Sequence, residues 1–244
     1  MTNSPATFQT MMNDIFWNLI AKGIVVVYLD NILIFTKTEE EHAQVVRQVL
    51  QVLKENKLFL RLEKCEFYKQ WIKYLGLVIS ENKVSMDPVK VAGVREWPTL
   101  ENKTDVQAFL GFMNFYWRFI QDFSAKARPL FDLTRSEQVW TWSRKEQVAF
   151  EDLRTAVTTA PVLVSPQESD PFWIEADSSD FATGVVLSQQ STTDRKWHPV
   201  AFYSKSLSSM ERNYEIHDKE MLAIIHALEE WRHFLEGATH LVEI

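Results

Sequence analysis

The residues best placed to do chemistry are Asp30 and Asn31, which interrupt two apolar runs, Val25–Val26–Val27–Tyr28–Leu29 and Ile32–Leu33–Ile34–Phe35. That pattern predicts a β-hairpin over 24–36 with the acid at its tip. A carboxylate held there suits a hard cation such as Mg²⁺, while Asn31 adds only a neutral amide oxygen. A second pair lies far along the chain. Asp177 follows the apolar run from Phe172, and Glu220 opens the apolar part of a long helical stretch. A strand-end Asp facing a helical Glu can share a divalent metal. Acids at turns and in first helical turns are also common for local reasons alone. Lys64 reads either as a phosphate contact or as a solvated surface lysine.

The surrounding elements follow from capping and periodicity. A helix is expected from Ser4-Pro5, with Ser4 as cap and Phe8, Met11, Met12, Ile15, Phe16 and Leu19 on its apolar face. Thr38 with Glu41 forms a capping box for a helix over 38–56. Strands are expected at 58–60 and 71–80. Pro88 opens a helix that Trp97-Pro98 ends, followed by helices at 104–123, 127–134 and 143–158, the last capped by Ser143 with Glu146. Residues 160–171 read as a loop. The period then changes to strands at 172–176, 184–190 and 200–204. A long helix over 213–236, stopped by Gly237, leads to a strand starting at 240.

The chain has 244 residues, 46% of them hydrophobic, and a formal net charge of −7. That is the composition of a globular protein rather than a disordered linker. The acidity counts against a complete, tight nucleic-acid binder, although a basic groove can sit on an acidic protein. The single cysteine, Cys65, excludes an intramolecular disulfide and reads as a small apolar filler. No apolar run approaches the ~20 residues of a membrane span, and no signal peptide opens the chain. An intracellular protein, cytoplasmic or nuclear, is expected.

These motifs occur in a recognisable order. The Tyr28-Leu29-Asp30-Asn31 hairpin resembles the Tyr-x-Asp-Asp hairpin of reverse transcriptases, with Asn31 in place of the second Asp. Ser4-Pro5-Ala6-Thr7-Phe8-Gln9 resembles the helix that precedes that hairpin and lines the nucleotide pocket. Lys64-Cys65-Glu66-Phe67 resembles the lysine-bearing motif that follows. Tyr74-Leu75-Gly76-Leu77-Val78-Ile79 resembles the primer-gripping hairpin. Phe109-Leu110-Gly111-Phe112-Met113-Asn114-Phe115-Tyr116 resembles a thumb-region helix of gypsy-class LTR retrotransposons. From Asp177 through Gly184-Val185-Val186-Leu187, Ala201-Phe202-Tyr203-Ser204-Lys205 and Glu220-Met221-Leu222-Ala223, the chain resembles the retrotransposon RNase H domain.

The resemblance implies an α+β and α/β chain. Residues 1–80 would be the C-terminal part of a reverse transcriptase palm, 81–140 a thumb or connection, and 141–244 an RNase H-like mixed sheet with its helix, incomplete. It assigns Asp30, with Asn31 beside it, and Asp177 and Glu220 to two Mg²⁺ sites. It assigns Phe8, Gln9, Tyr28, Lys64 and Gly76 to nucleotide, template or primer contact. The partners implied are an RNA/DNA template-primer and a deoxynucleoside triphosphate, with no membrane, and a virus-like particle in an active element. The family's other polymerase aspartate precedes the first helix, and its next RNase H aspartate follows the fourth strand. Neither is expected in this chain, so the reading is of a catalytically incompetent copy, or a nucleic-acid- or partner-binding module. Incomplete domains are expected to associate through exposed edges. Asn31, Leu62, Leu100 and Trp117 stand where relatives often carry Asp, Pro, Pro and Arg. Each change is reachable by a C-to-T transition on one strand or the other, which reads either as a decayed element copy or as ordinary drift.

Overall fold

A computed structural model describes residues 4–244; Asn3 and the Ser4 side chain expected to cap the first helix lie outside the described atoms. The chain divides by contact after Tyr74 into two compact units.

The first unit begins with helices α1 (Ser4–Ile15) and α2 (Trp17–Ala21). The hairpin β1 (Val25–Tyr28) and β2 (Asn31–Ile34) follows, then α3 (Glu39–Glu55) and a final short strand, β3 (Trp71–Tyr74). Alternation decides which face of β1 is covered: Val25 and Val27 are buried, whereas Val26 and Tyr28 are exposed. Those two valines pack with Met12, Phe16 and Leu19 from the first helices and with Val45, Val49 and Leu53 of α3. The i, i+4, i+8 spacing of the α3 residues gives one buried stripe. Thr38 caps α3, its side chain accepting from the Glu41 backbone N–H, but the expected box does not close, because the Glu41 carboxylate accepts from the Lys37 N–H instead. Residues 58–60 are not a strand; Phe59 is 95% exposed.

The second unit carries β4 (Leu77–Ser80), β5 (Lys83–Met86), α4 (Pro88–Arg95), α5 (Lys103–Phe115), α6 (Phe123–Thr134) and α7 (Arg144–Thr158). It continues through β6 (Leu163–Val164), β7 (Phe172–Ser178), β8 (Ala182–Gln190), β9 (Trp197–Ser206), α8 (Ile216–Glu230) and α9 (Arg232–Leu235). Asp87, Asn102 and Ser143 cap α4, α5 and α7, and Ser143 with Glu146 closes the expected capping box. β6 forms inside the expected loop because Leu163 and Val164 find the free edge of β5. β7, β8 and β9 form an antiparallel sheet in that order.

The sheet is covered on both faces. Ile174, Val185, Leu187 and Ala201 face Ala223, Ala227 and Trp231 of the C-terminal helices. Phe202, one residue out of phase, turns to the opposite face and joins the core of α4–α7 around Phe109, Leu130, Phe150 and Leu153. The long helix expected over 213–236 is broken: a short turn at Glu211–Asn213 precedes α8, and Trp231 separates α8 from α9. The strand expected from 240 is reduced to a single bridge between Trp173 and Glu243. Leu100 is a buried core residue, Leu62 is exposed, and the Trp117 ring meets Tyr203 edge-on at 5.8 Å.

Candidate functional site

In the first unit, Tyr28 pairs with Asn31, leaving Leu29 and Asp30 as the turn. Leu29 has φ 51°, a left-handed conformation that costs a branched residue about 1–2 kcal/mol. Gln9 holds it there. Its Oε1 accepts from the Leu29 N–H at 2.6 Å, and its Nε2 donates to the Val27 carbonyl at 3.1 Å and to Asn13 Oδ1 at 2.8 Å. The amide that the sequence assigned to a nucleotide or template is thus engaged with the hairpin backbone. Asp30 and Asn31 are both exposed, and Asn31 Nδ2 approaches Asp30 Oδ1 at 3.4 Å. Tyr28 projects outward, 52% exposed, and Phe8 packs partly buried against the core. Lys64 ends a short helical turn and is exposed. Cys65 is half-buried, its thiol donating to the Arg61 carbonyl at 3.3 Å, and so is less enclosed than a core filler.

In the second unit, Gly76 lies at φ +79°. Its carbonyl accepts from the Tyr116 hydroxyl at 2.9 Å and from the Asp87 N–H at 3.1 Å. A Cβ at Gly76 would come within 3.0 Å of the Tyr116 oxygen, so both the backbone angle and the space call for glycine. Burial, with the Asp87 carboxylate adding to it, raises the Tyr116 phenol above its ordinary pKa.

Asp177 pairs with Gly184 near the end of β7 and is exposed, its Oδ1 accepting from the Ser178 N–H at 2.8 Å. By the strand's alternation it shares a face with Glu175, opposite the face on which Ile174 and Ala176 meet α8. Glu220 is exposed on α8, with His217 Nδ1 at 3.9 Å from its carboxylate. The turn after Asp177 is tied from several sides. Ser179 Oγ donates to the Ala182 carbonyl, and Lys219 reaches Asp180 Oδ1 at 3.3 Å. Arg128 stacks over Phe181 at 3.9 Å. Asp180 is paired with that lysine while remaining largely exposed.

Among the described residues, no three His, Cys, Asp or Glu side chains gather as a metal site. A two-metal clamp needs several converging carboxylates. Asp30 has a carboxamide beside it, so the donors among the described residues do not fit a complete two-metal centre.

Two positions escaped sequence reasoning. Lys219 is buried to 6% side-chain exposure, and His226 is buried beside Lys205, whose Nζ lies 3.0 Å from His226 Nε2. Desolvation first, then the Lys205 charge, lowers the His226 pKa, while Glu211 and Glu229 oppose this. The available signal was α8's small residues: Ala223 and Ala227 mark the buried face, and Lys219 and His226 fall on it.

Two family models match. "Reverse transcriptase (RNA-dependent DNA polymerase)" covers residues 1–79, and "RNase H-like domain found in reverse transcriptase" covers 142–243. The Transposon Tf2-7 polyprotein of Schizosaccharomyces pombe is 38% identical over 234 residues, 96% of this chain and 17% of that protein. The Tf2-3 polyprotein of the same organism is 37% identical over 237 residues, 97% and 18% of the two chains. This chain therefore spans under a fifth of the length of these curated relatives. A foamy viral protease-reverse transcriptase in complex with RNA/DNA hybrid superposes with TM-score 0.79 at 20% identity, covering 98% of this chain and 32% of that one. The same viral protein in complex with dsDNA gives 0.78 at 20% identity, covering 99% and 49%. No described helix is long and apolar enough to cross a membrane. Both matched families generally use divalent metal ions. With reverse transcriptase and RNase H-like regions in the order found in the Tf2 polyproteins, the chain belongs to the reverse transcriptase–RNase H family of gypsy-class retrotransposon polyproteins.

Proposed function

We propose that this chain is a nucleic-acid-binding portion of a retrotransposon replication enzyme and is itself without turnover. In the parent polyprotein, its regions would serve RNA-directed DNA synthesis and degradation of the RNA in the hybrid. Residues 1–80 take the role of palm, 81–140 of thumb or connection, and 141–244 of RNase H-like domain. Within it, Tyr28, Phe8, Lys64 and Gly76 are assigned to nucleotide, template or primer contact. Gln9 keeps the hairpin tip in shape. Asp30, Asp177 and Glu220 are assigned as the metal-facing carboxylates. The parent's partners are an RNA/DNA template-primer and deoxynucleoside triphosphates, and its setting is intracellular.

The observation carrying the inactive reading is the tip itself: a single carboxylate beside an Asn31 amide, with no third ligand converging among the described residues. The deciding experiment offers the whole chain an RNA–DNA hybrid with Mg²⁺ and deoxynucleoside triphosphates and follows binding, primer extension and cleavage separately; primer extension would overturn the reading of the tip. Binding without cleavage is the expected result. Cleavage that disappears in Asp177→Asn would show a working RNase H centre and overturn the inactive reading.

A further inference from the structure

The end of β9 and the middle of α8 meet through a lysine and a histidine. Lys205 Nζ lies 3.0 Å from His226 Nε2, and His226 is only 6% exposed. A lysine ammonium has donors and no acceptor, so the contact exists only while Nε2 keeps its lone pair. The imidazole is therefore neutral, with its proton on Nδ1. That atom is enclosed and meets no acceptor among the described residues. A second proton on the ring would set an imidazolium directly against an ammonium.

The surroundings decide which partner moves. Lys205 and the Tyr203 ring, at 6.5 Å, face the imidazole from β9, Glu211 acts from the turn before α8, and Glu229 acts from α8 itself. By alternation, β7 and β8 present Ala176, Ser178, Thr183 and Val185 on the side of α8, all uncharged. Lys205 is exposed, and its flexible stem can carry the ammonium into water. His226 lies on the same buried helix face as Ala223 and Ala227 and has no such route.

We propose that Lys205 and His226 form a proton-operated latch between β9 and α8. It is closed while the imidazole is neutral. One proton on Nε2 expels Lys205 and loosens the end of β9 and the 207–213 turn from the helix. The helix so held carries Glu220 and, through Lys219, the tie to the β7–β8 turn. Burial first, and the Lys205 charge second, favour the neutral ring, whereas Glu211 and Glu229 favour the imidazolium. The proton binds more readily to the open form, so the latch weakens as pH falls below the ordinary histidine value of about 6.5. The device depends on neither nucleic-acid binding nor turnover.

The test is ¹⁵N NMR of the whole chain labelled at histidine, from pH 8 to 5, with amide exchange followed in parallel. The His226 signals are those lost in His226→Asn. We expect the Nδ1–H tautomer at pH 8 and a titration midpoint below those of the exposed His217 and His233. Opening over 205–213, corrected for the intrinsic pH dependence of exchange, should rise by up to about tenfold per pH unit below about 6.5. Lys205→Met, at an exposed position, should raise the His226 midpoint and free the ring to exchange tautomers. An Nε2–H tautomer at pH 8 would overturn the proposal. So would a His226 midpoint equal to those of the exposed histidines, or one unmoved by Lys205→Met. Exchange that rises equally over 205–213 and β7–β8 would describe general acid loosening and also overturn it. Should His226→Asn fail to fold, the histidine signals that move in Lys205→Met make the assignment, and no movement counts against the latch.

Discussion

The hairpin tip of the first unit and the β7–β8 turn of the second carry comparable acids on very different supports. Asp30 projects from a two-stranded sheet whose turn backbone is held by one side chain, Gln9. Asp177 ends a strand of a three-stranded sheet with cores on both faces, and the turn beyond it is tied to α6 and α8 by Arg128 and Lys219. A two-stranded ribbon is marginal by itself in water, whereas three strands packed on helices are not. The difference shows two ways of presenting a carboxylate. In one, a polar side chain imposes the backbone angle; in the other, packing fixes the strand, and an ion pair and a cation–π contact fix only the turn.

The largest test of that contrast is in the cores. Phe16→Ala empties the centre of the first unit's small core and should cost about 3–5 kcal/mol. Hydrogen exchange should then lose protection over 4–58 while β7–β9 keep theirs. Equal loss in both units would show that the first unit has no separate stability.

The next test concerns the turn ion pair. Asp180 is 81% exposed, so its own solvation changes little, but Asp180→Ala leaves the buried Lys219 ammonium without that partner. A loss of roughly 1–3 kcal/mol is expected in chemical denaturation, largely recovered by adding Lys219→Met. If Lys219→Met alone destabilises as much as Asp180→Ala, the lysine stem rather than the pair is what matters.

At the hairpin, Gln9→Leu should cost about 1 kcal/mol and expose the Leu29 amide to exchange. Leu29→Gly should relieve the left-handed strain and recover a similar amount. A Leu29 amide that stays protected in Gln9→Leu would transfer control of the tip to the strands.

The smallest effect is titration. The folded-state pKa of His226 is lowered, so the unfolded chain binds the proton more readily, and stability falls as pH drops below about 6.5 toward the folded value. The hydrogen-bonded Glu211 is also lowered, by the Ser208 backbone N–H first, and adds loss of the same sign nearer the carboxylate range. Melting temperatures of His226→Asn should flatten between pH 7 and 5 and keep the steeper acid fall.

Local rules were legible in the sequence. The caps at Thr38 and Ser143 and the start of α4 at Pro88 depend on residues within four positions of each other, and each formed as expected. What the sequence hid depends on partners far along the chain. Gln9 meets Leu29 across twenty positions, and its amide could equally have served a ligand. Leu163 and Val164 become a strand only because β5 offers an edge. On α8, hydrophobicity alone would bury Met221, Ile225 and Leu228. The sheet instead receives the small Ala223 and Ala227, leaving those larger residues exposed. Close approach to a packed sheet outweighs side-chain polarity there, and Lys219 and His226 are buried as a result.

The missing side chain of Gly184 has a consequence for descent. A Cβ there would overlap the carboxylate of Asp122, which enters from the start of α6 in a left-handed backbone conformation. A side chain at 184 therefore requires the Asp122 carboxylate to turn away or to be replaced. In any lineage that keeps this fold, a larger residue at 184 should appear together with a shorter or redirected one at 122. The pair becomes a covarying signature, readable from aligned gene sequences, that marks copies still under selection to fold and separates them from those accumulating changes freely.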